Sequence, residues 1–301
     1  MADAGIRTLD AQALRSWPLP PLAHDADKEV RGRVVVVAGS REIPGAAVLA
    51  STAALRAGAG KLLIATAASV AQAMALGMPE ARVIALPETP QGGFAVDGVE
   101  LLRTSLEAAD AVVLGPGMMQ EEATCRFVST LLPALGECAV VLDALAMNVV
   151  LSQGRFEVPV LLTPHAGEMA HLTGLRKEHI QSDPQRAALE AAQRWNAVVA
   201  LKGAVTWIAT PEGTLWRHAG GNTGLATSGS GDTLAGAIGG LAARGASLAQ
   251  AVAWGVVLHA RAGAQLARRL GPVGFLAREL PQEMLGVLSE LEAAERSGTQ
   301  A

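Results

Sequence analysis

The feature that most limits how this chain can fold is a series of strand-length apolar runs separated by alanine-rich stretches of helical length. The runs are continuous rather than alternating, which is typical of strands buried on both faces. Parallel strands need crossover helices between them, and βαβ units wind with a right hand. We therefore predict an α/β fold: a three-layer α/β/α sandwich with a mostly parallel central sheet. The predicted strands cover residues 33–38, 61–66, 82–86, 111–114, 139–142, 160–162 and 197–201.

The pattern changes after the last of these strands. Two short strand-like pieces, 206–209 and 214–218, flank Pro211-Glu212-Gly213, which predicts an antiparallel hairpin at the sheet edge. We interpret residues 1–301 as a single domain and residues 1–32 as an extended N-terminal arm. The candidate helices cover about 44–58, 69–77, 97–108, 120–134, 166–173, 183–195, 230–244 and 247–269, with a helical tail from about 281.

Composition and charge exclude several classes of function. The chain is 50% hydrophobic and 17% charged, so it can bury a sizeable core. A net charge of −4 gives no electrostatic footprint for nucleic acid or for an anionic membrane surface. Charged residues interrupt the apolar stretches before they reach the roughly 20 residues of a bilayer span. We therefore expect no nucleic-acid partner and no membrane association.

The N-terminus and the cysteines indicate the compartment. No basic segment followed by an apolar one is visible at the N-terminus, so no secretory signal is expected. Cys125 and Cys138 have no C-x-x-C spacing, which favours reduced, non-catalytic thiols. We expect a cytoplasmic protein.

The strongest chemical signal is the glycine-rich sequence TGLATSGSGDTLAG at 223–236, which runs directly into an apolar helix. The first turn of a helix has unpaired N–H groups and a positive dipole end, and glycines let that backbone approach a phosphate closely. Asp232 stands at the junction, where it could take a proton from an attacking hydroxyl. In the alternative interpretation, Ser230 or Asp232 merely caps the helix, and this motif alone does not separate the two.

Further turns follow other predicted strands. Ligands in open α/β sheets bind beyond the carboxyl ends of the strands. The small residues of 39–47, with a proline near the helix start, leave room for a ligand, although they also suit tight strand–helix packing. Gly115-Pro116-Gly117 is a second turn without side-chain bulk.

Two turns at this edge carry charged or titratable groups. In Thr163-Pro164-His165, followed by Glu168, the histidine could contact a ligand, cap a helix or pair with the glutamate. Lys202 stands at the end of a buried strand, where an unpaired ammonium is costly, so a phosphate or carboxylate partner is favoured.

Together and in this order, these motifs resemble the ribokinase-like fold and, within it, the ADP/ATP-dependent NAD(P)H-hydrate dehydratases. The resemblance covers about residues 24–290. General sugar kinases share the G-x-G-D turn but not the T-P-H-x-G-E sequence at 163–168 or the AALRAGAG sequence at 53–60. The chain departs from the family at Leu145, where an acidic residue is usual, at Ile43, often tyrosine, and at Ser228, often glycine.

The resemblance implies a residue assignment. Asp232 would be the catalytic base, accepting the proton of the C6 hydroxyl of hydrated NADH or NADPH (NADHX or NADPHX) as its oxygen attacks the terminal phosphate of ADP. The substrate-binding residues would be Ala46, Gly117, His165 and Asp232. The nucleotide-binding residues would be Lys202, Gly203, Ala204, Val205, Thr206, Gly229, Ser230 and Gly231.

The resemblance also implies co-substrates and partners. ADP, or ATP in its place, would supply the phosphoryl group, and Mg²⁺ would bridge its phosphates. We assign no metal ligands, because the sequence shows no metal-binding cluster. A separate NAD(P)HX epimerase is expected, since the chain leaves no room for the epimerase domain fused N-terminally in some members. We expect a homotetramer, with the arm around Trp17 as a contact.

Two other functions remain open on the sequence alone. A kinase of a small alcohol, such as a hydroxymethylpyrimidine or a sugar, would share Asp232 and the glycine turn but keep the phosphoryl group on its product. A non-catalytic nucleotide-binding relative would agree with the departures at Leu145 and Ser228.

Overall fold

The computed structural model describes residues 5–21 and 27–298. The described part forms one mixed sheet flanked by helices. Its strands are β1 (Ile6–Thr8), β2 (Arg33–Val37), β3 (Lys61–Ala67), β4 (Ala81–Leu86), β5 (Ala111–Leu114), β6 (Ala139–Leu142), β7 (Val160–Leu162), β8 (Val198–Leu201), β9 (Thr206–Ala209) and β10 (Leu215–His218). Their order across the sheet is β1-β10-β9-β8-β7-β6-β5-β2-β3-β4.

The α-helices cover both faces of this sheet. They are α1 (Ala11–Arg15), α2 (Pro44–Arg56), α3 (Ala68–Gly77), α4 (Arg103–Glu107), α5 (Glu121–Leu131), α6 (Val150–Gln153), α7 (Ala166–Thr173), α8 (Lys177–Ser182), α9 (Pro184–Trp195), α10 (Ser230–Ala243), α11 (Leu248–Leu270) and α12 (Leu280–Gly298). Short 3₁₀ turns include Val96–Leu102, Ala144–Val149 and Thr223–Leu225. None of the described helices combines the length and apolar composition that a bilayer crossing needs.

The predicted fold class is confirmed. Strands β2 to β8 run parallel to one another. β9 pairs antiparallel with β8 and with β10, and β9 and β10 form the expected hairpin. In β2, Val34 and Val36 pack into the core on one face while Val35 and Val37 pack into the core on the other. This two-sided burial explains why the strands appear in the sequence as continuous apolar runs.

Several local elements differ from the sequence expectation. The region predicted as one helix over 97–108 is a 3₁₀ turn, Val96–Leu102, followed by the short α4. The segments Ala144–Gln153 and Lys177–Ser182 are also helical, which the sequence did not indicate. The first consists of a six-residue 3₁₀ turn and the four-residue α6, and the second is the six-residue α8; elements this short leave too few turns for a periodic apolar pattern to show.

Part of the predicted N-terminal arm belongs to the sheet. β1 pairs parallel with β10, and Trp17 stacks on Trp216 with ring centroids 5.7 Å apart. The indole N–H of Trp254 and the amide of Gln250 both donate to the Trp17 carbonyl. The Trp17 ring expected at a subunit contact is thus packed against its own chain; residues 1–4 and 22–26 of the arm lie outside the described residues.

Close helix packing positions α10. A Cβ added at Gly236 or Gly240 would run into the backbone of α2 at Ala50 and Ala54. Small residues therefore let the two helices approach backbone to backbone. This contact fixes where the first turn of α10 meets the carboxyl ends of the strands.

Candidate active site

The carboxyl ends of three neighbouring strands bring the predicted polar residues together. Asp143 directly follows β6, His165 lies three residues past β7, and Lys202 directly follows β8. Pairing continues beyond the strands, because the Lys202 N–H donates to the Pro164 carbonyl at 2.8 Å. His165 and Lys202 form an isolated parallel β-bridge, which holds their backbones side by side.

The first turn of α10 points unpaired N–H groups toward the same edge. Gly229 precedes the helix in a left-handed conformation with φ 85°, which favours glycine. The Ser230 N–H donates to the Thr227 carbonyl at 3.2 Å. Nothing among the described residues accepts a hydrogen bond from the N–H of Gly231 or Asp232. Two free donors at the positive end of a helix dipole form an anion-binding arrangement.

Lys202 is the cation opposite this turn. Its Nζ donates to Asp143 Oδ1 at 3.2 Å and lies 3.9 Å from Glu168 Oε2. A Cβ placed on Gly231 would be 3.5 Å from the same Nζ, so the ammonium lies against the first turn of α10. The predicted partner of Lys202, a phosphate or carboxylate, is in this structure a pair of carboxylates.

The cluster perturbs both Lys202 and Asp232. Burial alone would lower the pKa of Lys202, but Asp143, Glu168 and Asp232 outweigh it and hold that pKa above its ordinary value. Burial raises the pKa of Asp232 to about 6; the Asp143 carboxylate adds to the rise and Lys202 opposes it. A carboxylate with a pKa near neutral is suited to accept a proton in a reaction at physiological pH.

Asp143 is a site residue that the sequence analysis did not assign. Its side chain is 4% exposed and also accepts a hydrogen bond from Thr163 Oγ1 at 2.6 Å. The next residue, Ala144, has φ 48°, a left-handed conformation that is uncommon without glycine. Backbone strain of this kind clusters at functional sites. The departure noted at Leu145 follows this strained position and leaves Asp143 in place.

A cavity of about 750 Å³ opens between these groups. Eight of the predicted site residues are in its wall: His165, Lys202, Gly203, Ala204, Thr206, Ser230, Gly231 and Asp232. Val205 and Gly229 are sequence neighbours of residues in the cavity wall but do not line the cavity themselves. The volume is within the range of small-molecule sites.

Ala46 and Gly117 lie together but outside this cavity wall. A Cβ added to Gly117 would be 2.7 Å from the Ala46 Cβ and 2.6 Å from the Ile43 carbonyl oxygen. A Cβ on Gly229 would run into Leu49 of α2 and lie 3.9 Å from Asp232 Oδ2. Ala46 lies three residues before Leu49 in α2, so Ala46 and Gly117 belong to the side of the first turn of α10 that faces α2.

His165 combines two of the roles that the sequence left open. Its Nδ1 accepts the N–H groups of Gly167 and Glu168 at 3.0 and 3.1 Å, while Glu168 accepts the His165 N–H in return. This is a capping box at the start of α7. His165 also pairs with Glu168, since its Nε2 lies 3.6 Å from Glu168 Oε2; the side chain is 59% exposed and lines the cavity.

Two further cavity residues carry buried polar atoms without partners. Both amide atoms of Asn222 and the Nε2 atom of His218 are buried and unpaired among the described residues. An unsatisfied buried polar atom is costly, so such atoms in a cavity wall point to a polar ligand or ordered water. Neither residue stood out in the sequence, because their burial depends on the loop after β10.

Comparison with known proteins decides the family. A model described as NAD(P)H-hydrate dehydratase matches residues 34–285. The ADP-dependent (S)-NAD(P)H-hydrate dehydratase of Xanthomonas campestris is 51% identical, over 97% of this chain and 99% of its own length. The chain belongs to the NAD(P)H-hydrate dehydratase family. A bifunctional NAD(P)H-hydrate repair enzyme of Moorella thermoacetica is 40% identical, and the match spans 95% of this chain but 54% of that longer protein.

Solved structures of this dehydratase family and of kinases share the fold. The ADP/ATP-dependent NAD(P)H-hydrate dehydratase of Bacillus subtilis, co-crystallised with ATP and Mg²⁺, has a TM-score of 0.82 and 31% identity, covering 96% of this chain and 100% of its own. A ribokinase-like superfamily protein of Enterococcus faecalis also has a TM-score of 0.82, at 26% identity and 97% and 98% coverage. The hydroxyethylthiazole kinase of Pyrococcus horikoshii, at 18% identity and a TM-score of 0.59 over 87% of this chain and 89% of its own, shares the fold alone.

Proposed function

We propose that this protein is an ADP-dependent (S)-NAD(P)H-hydrate dehydratase, which restores NADH or NADPH from NADHX or NADPHX and releases AMP and phosphate. One observation carries the proposal. Asp232, with a pKa raised by burial to about 6, lies beside two unpaired N–H groups and opposite Lys202. A base, an anion-binding turn and a cation are the parts that phosphoryl transfer needs.

The chemistry balances with these groups. The C6 hydroxyl oxygen of the hydrate attacks the β-phosphorus of ADP, the bond from that phosphorus to the bridging oxygen breaks, and AMP leaves. Asp232 accepts the hydroxyl proton, while Lys202 and the N–H groups of Gly231 and Asp232 stabilise the phosphoryl charge. The ring nitrogen lone pair then expels phosphate from C6, and loss of a C5 proton forms the ring double bond. The sum is hydrate plus ADP giving NAD(P)H, AMP, phosphate and one proton.

The residues of the cluster do not form a magnesium site of their own. Asp143, Glu168 and Asp232 surround the Lys202 ammonium, which occupies the position of a cation. Among the described residues, no group of three His, Cys, Asp or Glu side chains is arranged to hold a metal. We expect Mg²⁺ to enter bound to the nucleotide phosphates, and no step above depends on it.

The proposal extends to the partners. Bifunctional repair enzymes such as that of Moorella thermoacetica are about twice the length of the matched region. We infer that an NAD(P)HX epimerase works with this chain. A homotetramer remains our expectation for its assembly, and size measurement in solution would test it.

One assay tests the function. The purified protein is incubated with ADP and NADHX while the absorbance of the dihydropyridine ring is recorded, with ADP omitted in the control. We expect the chromophore to return with equal amounts of AMP and phosphate. Transfer of phosphate to the product without return of the chromophore would indicate a kinase, and nucleotide binding without turnover would indicate a binding protein.

A further inference from the structure

A histidine of α11 lies directly beneath the first turn of α10. His259 is 8% exposed, and its Nε2 lies 3.0 Å from Ser230 Oγ and 3.1 Å from the Ser230 carbonyl oxygen. Ser230 is itself 4% exposed. The contact links α11 to the residue just before Gly231 and Asp232.

The hydrogen-bond chemistry of this contact selects one form of the ring. A carbonyl oxygen can only accept, so the short contact with Ser230 requires a hydrogen on Nε2 of His259. Burial lowers the pKa of His259 to about 4; the Ser230 carbonyl opposes this shift and the Lys202 charge adds to it. At neutral pH the ring is therefore uncharged, with its one N–H directed at Ser230.

The peptide plane connects this bond to the anion-binding turn. The Ser230 carbonyl and the Gly231 N–H belong to the same peptide group, which is planar and trans. In a trans peptide the N–H points away from the carbonyl. Holding the Ser230 oxygen toward His259 therefore directs the Gly231 N–H outward, into the cavity that both residues line.

We propose that His259 is a positioning residue that fixes the Ser230–Gly231 peptide and so aims the Gly231 N–H at the nucleotide phosphate. The inference rests on the proposed function for the identity of that anion. The same contact limits the role of Ser230. Because its hydroxyl faces His259, Ser230 contributes to nucleotide binding through its backbone and not through its side chain. Ser230 and Gly231 both lie in the first turn of α10, and glycine at 231 has no side chain to restrict that turn, so the contact from α11 adds a restraint that the helix end lacks.

The test measures the affinity for ADP by calorimetry, without hydrate, in the wild type and three variants. His259→Leu fills similar space without an N–H, and we expect it to weaken ADP binding by about 10-fold or more, as for the loss of a hydrogen bond to a charged group. His259→Gln, whose amide N–H can donate to the Ser230 carbonyl, should stay within about 3-fold of the wild type. Val252→Ala is the matched control, since it truncates a buried residue of the same helix away from Ser230.

The controls separate positioning from packing. We expect Val252→Ala to lower the melting temperature with ADP affinity unchanged. In the dehydration assay, His259→Leu should lower kcat while the KM for NADHX stays at the wild-type value. If leucine at 259 prevents folding, His259→Asn, whose shorter amide does not reach Ser230, replaces it with the same expected loss.

Two results would overturn the inference: wild-type ADP affinity in His259→Leu despite a lower melting temperature, or equal weakening by Val252→Ala. Because ADP binding is measured without hydrate, the outcome is independent of dehydration. A wild type that binds ADP but does not restore NADH would contradict the proposed function and leave this test intact. A wild type that does not bind ADP would overturn both.

Discussion

The two sides of the first turn of α10 are built by different means. On the Lys202 side, charged groups face an open cavity of about 750 Å³. On the α2 side, Ala46 and Gly117 pack so closely that a methyl group on Gly117 would overlap Ala46 and the Ile43 carbonyl. The first side depends on what its side chains can do chemically, whereas the second depends on their being small. Changes of charge should therefore damage the first side, and changes of volume the second.

This difference agrees with the two substrates of the proposed reaction. Phosphates need cations and N–H donors, which the Lys202 side supplies. The α2 side offers backbone and small side chains, and we propose that they let the flat ring of the hydrate approach closely, with His165, the predicted hydrate contact, reaching it from the Lys202 side. Asp232 lies between the two sides. Gly229, just before it, packs against Leu49 of α2, and the adjacent Gly231 packs against the Lys202 ammonium.

The largest expected effect is at Asp232. Asp232→Asn removes the base and keeps the shape, so turnover should fall by about 10² to 10⁴, as for a lost general base. ADP affinity should be nearly retained. Steady-state kinetics and calorimetry check the two parts, and turnover close to wild type would contradict the role of Asp232.

The same variant should also differ from the wild type in the pH dependence of its stability. The pKa of Asp232 rises from 3.8 to about 6 in the folded protein, so folding binds its proton more tightly. The stabilisation by that proton is present below pH 3.8 and is lost as the pH rises through 6. Asp232→Asn should therefore melt above the wild type at pH 8 and at a closely similar temperature near pH 4.

Lys202 comes second. Lys202→Ala removes the ammonium that faces the anion-binding turn, and ADP affinity should fall by about 10- to 100-fold, the range for a hydrogen bond between charged groups. Affinity for the hydrate should change much less. Equal ADP affinities of the variant and the wild type in calorimetry would exclude Lys202 as a phosphate contact.

These two positions show what the sequence could predict. Asp232 and Lys202 stand next to regular elements whose patterns are strong: a long apolar helix and a strand buried on both faces. These patterns made the surroundings of both residues predictable. For Lys202, a position at the end of a buried strand already limits which groups the ammonium can contact. The mostly parallel sheet itself, though not the order of its strands, followed from the same continuous apolar runs, as at Val34–Val37.

Other site features depend on contacts distant in sequence. The role of the Asp143 carboxylate depends on the hydrogen bonds that it accepts from Thr163 and Lys202, which are 20 and 59 residues away. His259 is 29 residues from Ser230 and, in the sequence, only interrupts an apolar stretch. β1 has three residues of intermediate or high exposure, so no apolar pattern indicated that it joins the sheet.

A matched pair of glycine variants tests the contrast in volume. Gly117→Ala adds a methyl group at φ 66° within 2.6 Å of a backbone oxygen, so it should cost more than about 1 kcal/mol of stability. Gly231→Ala meets its nearest neighbour, Lys202 Nζ, at 3.5 Å, an ordinary contact, and should fold normally. Thermal or denaturant unfolding compares them. Equal stabilities would remove the claimed difference between the two sides.

Asp143 and Lys202 shift the pKa of Asp232 in opposite directions, on top of the larger effect of burial. Its carboxylate helps to raise the pKa of Asp232, so Asp143→Asn should shift the acid limb of kcat/KM to lower pH by roughly one unit, a small effect for a neighbouring charge. Lys202 acts in the opposite sense, so Lys202→Ala should move the same limb to higher pH. A limb that stays in place in both variants would show that another group sets it.

The smallest expected effect is at His165, which caps α7 and which we propose also contacts the hydrate. His165→Ala removes the acceptor of two N–H groups at the start of α7 and should cost about 0.5 to 2 kcal/mol of stability. His165→Asn can restore that cap, because asparagine is a favoured N-cap residue, but it cannot restore the exposed ring. If the ring contacts the hydrate, both variants should raise its KM equally and leave ADP affinity unchanged, while stability differs between them. Recovery of both KM and stability in His165→Asn would mean that His165 only caps the helix.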